Sequence, residues 1–561
     1  MANIGFERST VRYPMGNWIE ALTFADLLGY MADQRPEAEA LIFPDERLSY
    51  GELRDRAVGM ARSLAALSVG RGDKVGILMP NCPDYVALLF GITMLGAVAV
   101  PINARFKRDE LGYIIEHSDV RVLVTTDLIR EYVDFMNLLQ TCYPELTESN
   151  PQHLRLARAP RLRQIVLLSE REVPGMIARS SFDALAEEIG ASEVRHRQAQ
   201  VQIRDVAFLM YTSGTTARPK GCLLSHETVV RNGMAASRRF HMRPADRLWD
   251  PLPLFHMGGI LPLAAAVYSG ATFLSMAHFE PETALAIMER EQVTIAYPTF
   301  ETITQALLHH PRFSETDLSH LRLVINVGPP DRLRAMQRQL PHVVQVSAYG
   351  CTEGGGVIAY NWPDEDLESR LTTQGPPFEG IEVRIVDPQT GAPLPPNRSG
   401  EIVFRGYCLF DGYYKDPEGT AAAMDAEGWF HTGDLGALDA AGRIMYQGRL
   451  KDMLKVGGEN VAAAEVESFL ARHPAIKIVR VVGVPDERLV EVPAAFVELH
   501  EGASLTEEEL IDFCKGQIAS FKIPRYVRFV NEWPMSATKI QKFKLRQMLI
   551  EELDEGARSG D

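Results

Sequence analysis

The strongest constraint on the fold is a repeated switch of apolar periodicity between residues 23 and 130. Residues 24–34 have helical spacing, and 41–43 and 47–50 form a hairpin about Pro44-Asp45. Residues 50–67 are amphipathic, with Leu53, Ala57, Met60, Ala61, Leu64 and Leu67 on one face. A continuous apolar run at 74–79 then reads as a buried strand ending at Pro80. Helix 85–95, strand 97–101, helix 108–118 and strand 120–125 follow. Strands separated by helices cannot pair as hairpins, so the sheet must be parallel and the class α/β. Residues 145–164 are polar and read as a surface excursion. Further strands are expected at 165–168, 206–210, 251–254, 271–274, 295–297 and 323–326.

The character changes at 380–447, which is rich in Gly, Pro and Asp with short alternating strands, a small antiparallel β unit. After 449 it changes again, with helix 465–472, strands 478–484 and 494–499, and helix 506–519 opened by the capping box Thr506-Glu507-Glu508-Glu509. The expected organisation is a large α/β domain over 1–449 and a small α+β domain over 450–561. A chain of 561 residues is too long for one ordinary core.

A net charge of −16 argues against nucleic acid as the main partner, though not against a nucleotide, which needs only local donors. Cys82, Cys142, Cys222, Cys351, Cys408 and Cys514 are scattered without a CxxC pair, which disfavours zinc and disulfides and suits a reducing cytosol. The first 13 residues have no apolar core and read as no secretory signal. The longest apolar run, 85–100, has 16 residues. A spanning helix needs about 20. A cytoplasmic location is the expectation.

Residues 211–221 join an apolar strand to a loop of hydroxyls, glycines and a lysine: Tyr211, Thr212, Ser213, Gly214, Thr215, Thr216, Ala217, Arg218, Pro219, Lys220 and Gly221. Small side chains let backbone N–H groups approach an anion, and the hydroxyls and Lys220 add donors. The loop is not a Walker motif, because Pro219 and Gly221 stand where that motif needs Gly and Ser/Thr. Tyr349-Gly350-Cys351-Thr352-Glu353 places an aromatic, a hydroxyl and a carboxylate together. These suit purine stacking, a phosphate contact and Mg²⁺ held against phosphates. Asp434, at the end of 428–434, is of the type that bonds ribose hydroxyls. Gly457-Gly458 permits close backbone approach to a ligand.

These motifs, in this order and spacing, resemble the ANL superfamily of adenylate-forming enzymes from about 23 to 550. The resemblance rests on 211–221, 349–353, 412–436, 448–460 and 538–544. It implies a carboxylate attacking the α-phosphate of Mg·ATP, then a thiol, usually of coenzyme A, displacing AMP. It assigns the β- and γ-phosphates to Thr212, Ser213, Gly214, Thr215, Thr216 and Lys220. Glu353 would bind Mg²⁺ and Thr352 the α-phosphate. Tyr349 would stack on adenine opposite Gly328, Pro329 and Pro330, and Asp434 and Arg449 would hold the ribose. Lys539 would bridge the acyl carboxylate and the α-phosphate. Lys451 would be the hinge about which the small domain rotates, bringing Lys455, Gly457, Gly458 and Glu459 to a CoA channel.

Two positions depart from the family pattern: Thr538 replaces the usual Gly, and Cys351 is smaller than usual. The acyl pocket would be lined by His256, Met257, Gly258, Phe300, Val327, Cys351, Gly355 and Val357, which favours an apolar acid. Cys351 and the run Gly354-Gly355-Gly356 point to a wide pocket and a bulky acid. The resulting expectation is an acid–CoA ligase using ATP, Mg²⁺ and coenzyme A. The alternative is a stand-alone enzyme that loads a carrier protein. A homodimer is left open.

Overall fold

The computed structural model describes residues 22–212, 219–456, 459–486, 488–536 and 539–558. The chain divides into two compact units, one of Met1–Val327, Met336–Glu382 and Arg405–Phe430, the other of Gly328–Ala335, Val383–Phe404 and His431–Asp561.

The first unit is built on two seven-stranded sheets. One runs in the order Ile177–Ala178, Gln164–Leu167, Val120–Thr125, Lys74–Leu78, Val98–Pro101, Val206–Thr212 and Lys220–Ser225. The other runs Val344–Val346, Leu323–Val327, Ile295–Phe300, Arg247–Trp249, Thr272–Leu274, Glu39–Ile42 and Arg47–Ser49. Each is parallel until its last strand, which returns antiparallel. The parallel strands are largely apolar and buried, as strands covered on both sheet faces are. The helix Pro83–Met94 is buried almost all round, so its 85–100 sequence run is a core helix leading into a strand.

One expected strand is absent. Residues 251–254 form no strand, and the strand is Arg247–Trp249 instead. Pro251 and Pro253 have no N–H to give to a ladder, so the apolar run cannot pair even though it is buried. Asp250 thus lies just past the strand, fully buried, with Oδ1 accepting from Leu252 N at 2.8 Å.

His226 opens the helix His226–Arg239 and is fully buried. Its Nδ1 accepts the N–H of Phe24 at 3.1 Å. Burial lowers its pKa from 6.5 to about 4. The folded protein therefore keeps this ring neutral where the unfolded chain protonates it. Stability is complete above pH 6.5 and falls as pH drops towards 4, by on the order of 3 kcal/mol from this group. Urea midpoints measured across that window should show the decline, and His226→Asn, which keeps an acceptor, should flatten it.

In the second unit, the sheet of Glu459–Ala462, Met453–Val456, Val490–Leu499 and Ile476–Asp486 gains a fifth strand, Tyr526–Phe529, parallel to Val490–Leu499. Alternation sorts its side chains. Val479, Val481, Ala495 and Val497 pack with Val466, Leu470 and Leu510 on one face. Val482, Val484, Ala494 and Phe496 pack with Leu545 and Leu549 on the other. The capping box at Thr506 forms as expected and opens the helix Glu507–Cys514. The strands Ile381–Val386, Gly400–Gly406, Phe430–Leu438 and Ile444–Arg449 form a four-stranded sheet in that order, the β unit expected at 380–447. No helix among the described residues is long and apolar enough to cross a membrane.

Candidate active site

The expected site residues fall into two groups, one in each unit. In the first, the strand Val206–Thr212 is joined to Lys220–Ser225 by the loop of 211–221, and Thr212 stands opposite Lys220 in register. The two ends of the loop are therefore cross-strand neighbours. Ser213, Gly214, Thr215 and Thr216 lie outside the described residues. Tyr211 anchors the loop base through its hydroxyl, 2.7 Å from Nδ1 of His117. Burial raises the Tyr211 phenol, and burial also lowers the His117 imidazole.

The second motif forms a tight turn. After the strand Ala348–Tyr349, a short 3-10 turn, Thr352–Gly354, leaves Cys351, Thr352 and Glu353 partly exposed. The turn is closed by Gly355 N to Thr352 O at 3.0 Å and Ile358 N to Tyr349 O at 2.9 Å. Tyr349 itself is 5% exposed. Gly355 and Gly356 have φ of +69° and +103°. A Cβ on Gly355 would meet Thr228 and Asn232, and one on Gly356 would meet Met257 at 2.9 Å. Gly258 likewise packs on Leu252, at 2.9 Å from where its Cβ would be. These glycines answer to close packing and to positive φ. The run Gly354-Gly355-Gly356 is thus no measure of pocket width, which corrects that part of the sequence argument.

The structure brings Phe300 and Val327 together as register partners at the C-terminal ends of adjacent parallel strands. A one-residue bulge between Ala296 and Thr299 precedes Phe300, and Thr299 has φ +56°. His256 is the N-cap of the helix Met257–Ser269, which places Met257 beside Gly356. Val357 follows the glycines and is half-buried.

Glu353 is the residue whose surroundings the sequence left blank. Its Oε1 accepts the hydroxyl of Tyr413 at 2.8 Å, and its carbonyl accepts Phe410 N at 2.9 Å. The Lys220 ammonium lies 4.5 Å from the Tyr413 ring centre and 3.1 Å from Oδ2 of Asp416. Tyr413 and Asp416 sat inside the motif range 412–436 without a role. Only the fold, which lays 411–414 along the strand of Lys220, reveals their position. No cluster of three or more His, Cys, Asp or Glu that could cage a metal occurs among the described residues. A single oriented carboxylate fits Mg²⁺, which keeps several waters and binds through one or two carboxylates plus substrate phosphates.

In the second unit, the hairpin Phe430–Leu438/Ile444–Arg449 sets Asp434 opposite Arg449. Arg449 Nε lies 2.7 Å from the buried carboxylate of Asp434. The Asp434 N–H bonds Thr432 Oγ1 at 2.9 Å, while Glu401 takes Gly433 N at 2.9 Å and faces His431 Nδ1 at 2.8 Å. Glu401, His431 and Thr432 were not anticipated; their role is to shape the strand that carries Asp434. Gly328 and Pro329 lead into the helix Pro330–Gln339, of which only the part up to Ala335 is counted in this unit. Lys451 lies in a 3-10 turn, Leu450–Asp452, directly after Arg449, and desolvation lowers its pKa. Lys455 pairs with Asn460, and Val456 with Glu459, in a hairpin joined through Gly457 and Gly458, which lie outside the described residues. Lys539 begins the short strand Lys539–Ile540, paired with Met535–Ser536; Thr538 lies outside the described residues.

Comparison with known proteins fits this arrangement. The AMP-binding enzyme family matches residues 30–414, and its C-terminal domain family matches 465–539. The putative acyl-CoA synthetase YngI of Bacillus subtilis (strain 168) is 36% identical over 538 residues, covering 94% of this chain and 97% of its own. The mitochondrial medium-chain acyl-CoA ligase ACSF2 of Rattus norvegicus is 32% identical over 545 residues, covering 95% and 88%. Among solved structures, the anthranilate CoA ligase AuaEII in complex with anthranoyl-AMP superposes with a TM-score of 0.84 at 29% identity, covering 98% of this chain and all of that one. The family models and these relatives define an adenylate-forming enzyme, in class an AMP-forming acid–thiol ligase. The chain belongs to the AMP-binding enzyme family, within the ANL superfamily.

Proposed function

We propose that this enzyme is an ATP-dependent carboxylic acid–CoA ligase that works in two steps on an apolar acid, through an acyl-adenylate. The observation that carries the reading is the convergence of Lys220 and Glu353 on Tyr413, the ammonium over its ring and the carboxylate on its hydroxyl. Lys220, with Thr212 and the loop, holds the β- and γ-phosphates as the leaving group, and Thr352 orients the α-phosphate. Asp434 and Arg449 hold the ribose. Mg²⁺ bound by Glu353 and the nucleotide would offset charge on the phosphate oxygens.

Lys539 stabilises charge developing between carboxylate and α-phosphate in the first step. Residues 450–561 act as the mobile domain, turning about Lys451 so that Lys455, Gly457, Gly458 and Glu459 line the path of the thiol in the second. Separating the steps keeps water from the mixed anhydride. His256, Met257, Gly258, Phe300, Val327, Cys351, Gly355 and Val357 form the acyl site, and their mostly apolar or small character supports an apolar acid. The ACSF2 relative's name supports a medium-chain acyl acid over a bulky polycyclic one.

The test is pyrophosphate release over a panel of acids graded in width and chain length, with free CoA or a carrier protein as acceptor. The reading expects release with medium-chain acids and a thioester on CoA. Thioester on the carrier alone would transfer the assignment to a carrier-loading enzyme, and no release with any acid would refute it.

A further inference from the structure

We propose that Tyr413 is a positioning residue that fixes the Glu353 carboxylate, so that one carboxylate oxygen is committed to the tyrosine and the other is presented to a metal–nucleotide. The inference rests on the reading of Glu353 as the Mg²⁺ carboxylate, and goes beyond it by naming what orients that carboxylate.

Residues 411–414 lie along the strand Lys220–Ser225, joined to it by an antiparallel bridge. Leu223 N bonds Gly412 O at 3.1 Å, Asp411 N bonds Leu223 O at 2.8 Å, and Tyr414 N bonds Gly221 O at 2.7 Å. The register sets Tyr413 opposite Cys222, two residues from Lys220. Thr420 locks the segment from behind: its hydroxyl accepts Tyr413 N at 2.9 Å and donates to Asp416 O at 2.8 Å. Gly412, at φ +125°, has Thr420 where a Cβ would stand, so this close approach needs glycine.

With the backbone held on two sides, the ring has little freedom. Phe410 packs edge-on to it at 4.8 Å, and the same Phe410 gives its N–H to the Glu353 carbonyl. The Tyr413 hydroxyl then meets Glu353 Oε1 at 2.8 Å while its ring faces the Lys220 ammonium. A carboxylate with one oxygen hydrogen-bonded in this way cannot rotate freely, and partners of that kind commonly set metal affinity by about 10-fold or more.

The test uses full-length protein and calorimetric binding of α,β-methylene-ATP, in Mg²⁺ and in EDTA, so that no turnover is read. Wild type should bind more tightly in Mg²⁺. Tyr413→Phe should lose about tenfold of that gain, the scale of such a partner, with EDTA affinity unchanged. In a Glu353→Gln background the same substitution should add nothing. A full Mg²⁺ gain in Tyr413→Phe overturns the inference and leaves the Glu353 reading standing. Equal losses in Mg²⁺ and EDTA mark a structural role and also overturn it. Wild type without a Mg²⁺ gain removes the Glu353 reading, and the inference with it.

Discussion

Lys539→Ala is expected to lower acid-dependent ATP–pyrophosphate exchange by about 10²–10³-fold, the scale on which losing one group that stabilises transition-state charge acts. Thioester formation from supplied acyl-AMP should stay close to wild type, because the second step needs no cation between carboxylate and α-phosphate. The split between half-reactions is the informative part. A merely structural lysine would depress both alike. Exchange at the wild-type rate would show that the role assigned to Lys539 is wrong.

Gly355→Val should damage both fold and chemistry. At φ +69° a β-branched residue is strained by about 1–2 kcal/mol. The new Cβ would stand 2.5 Å from Thr228 Cγ2 and 2.6 Å from Asn232 Nδ2. Asn232 cannot swing away without releasing Gly354 O and Gly355 O, which it holds at 2.9 and 3.2 Å. Overpacking adds about 1–3 kcal/mol. A loss of about 3 kcal/mol in urea denaturation is expected, with exchange activity falling because the same turn carries Thr352 and Glu353. Gly355→Ala should show a smaller loss of the same sign. A Val variant with unchanged midpoint and activity would contradict the packing described for this turn.

Much of the fold was legible because period and composition agreed. The helix Arg108–Ser118 and the strand Val120–Thr125 fall where the spacing places them. The failure at 251–254 is instructive: hydrophobicity reports burial, whereas a strand also needs N–H donors, and two prolines withhold them. Of the candidate site, the residues proposed were those whose chemistry is suggested by type and spacing, among them Lys220, Glu353 and Asp434. Tyr413, Asp416 and Glu401 were not, because their contribution comes from strand register, which one sequence does not display. The glycines at 354–356 were visible but misleading. Their small size reads equally as room for a ligand or room for the backbone, and only coordinates distinguish the two.

The central claim is that acid activation precedes the thiol and expels pyrophosphate. The direct measurement is to incubate the wild-type enzyme with α-labelled ATP, Mg²⁺ and a medium-chain acid, omitting CoA, and to resolve the labelled products after acid quench. The account predicts acid-dependent acyl-AMP with matching pyrophosphate, converted to AMP and acyl-CoA when CoA is added. Formation of ADP, or no acid-dependent conversion of ATP until CoA is present, would contradict it.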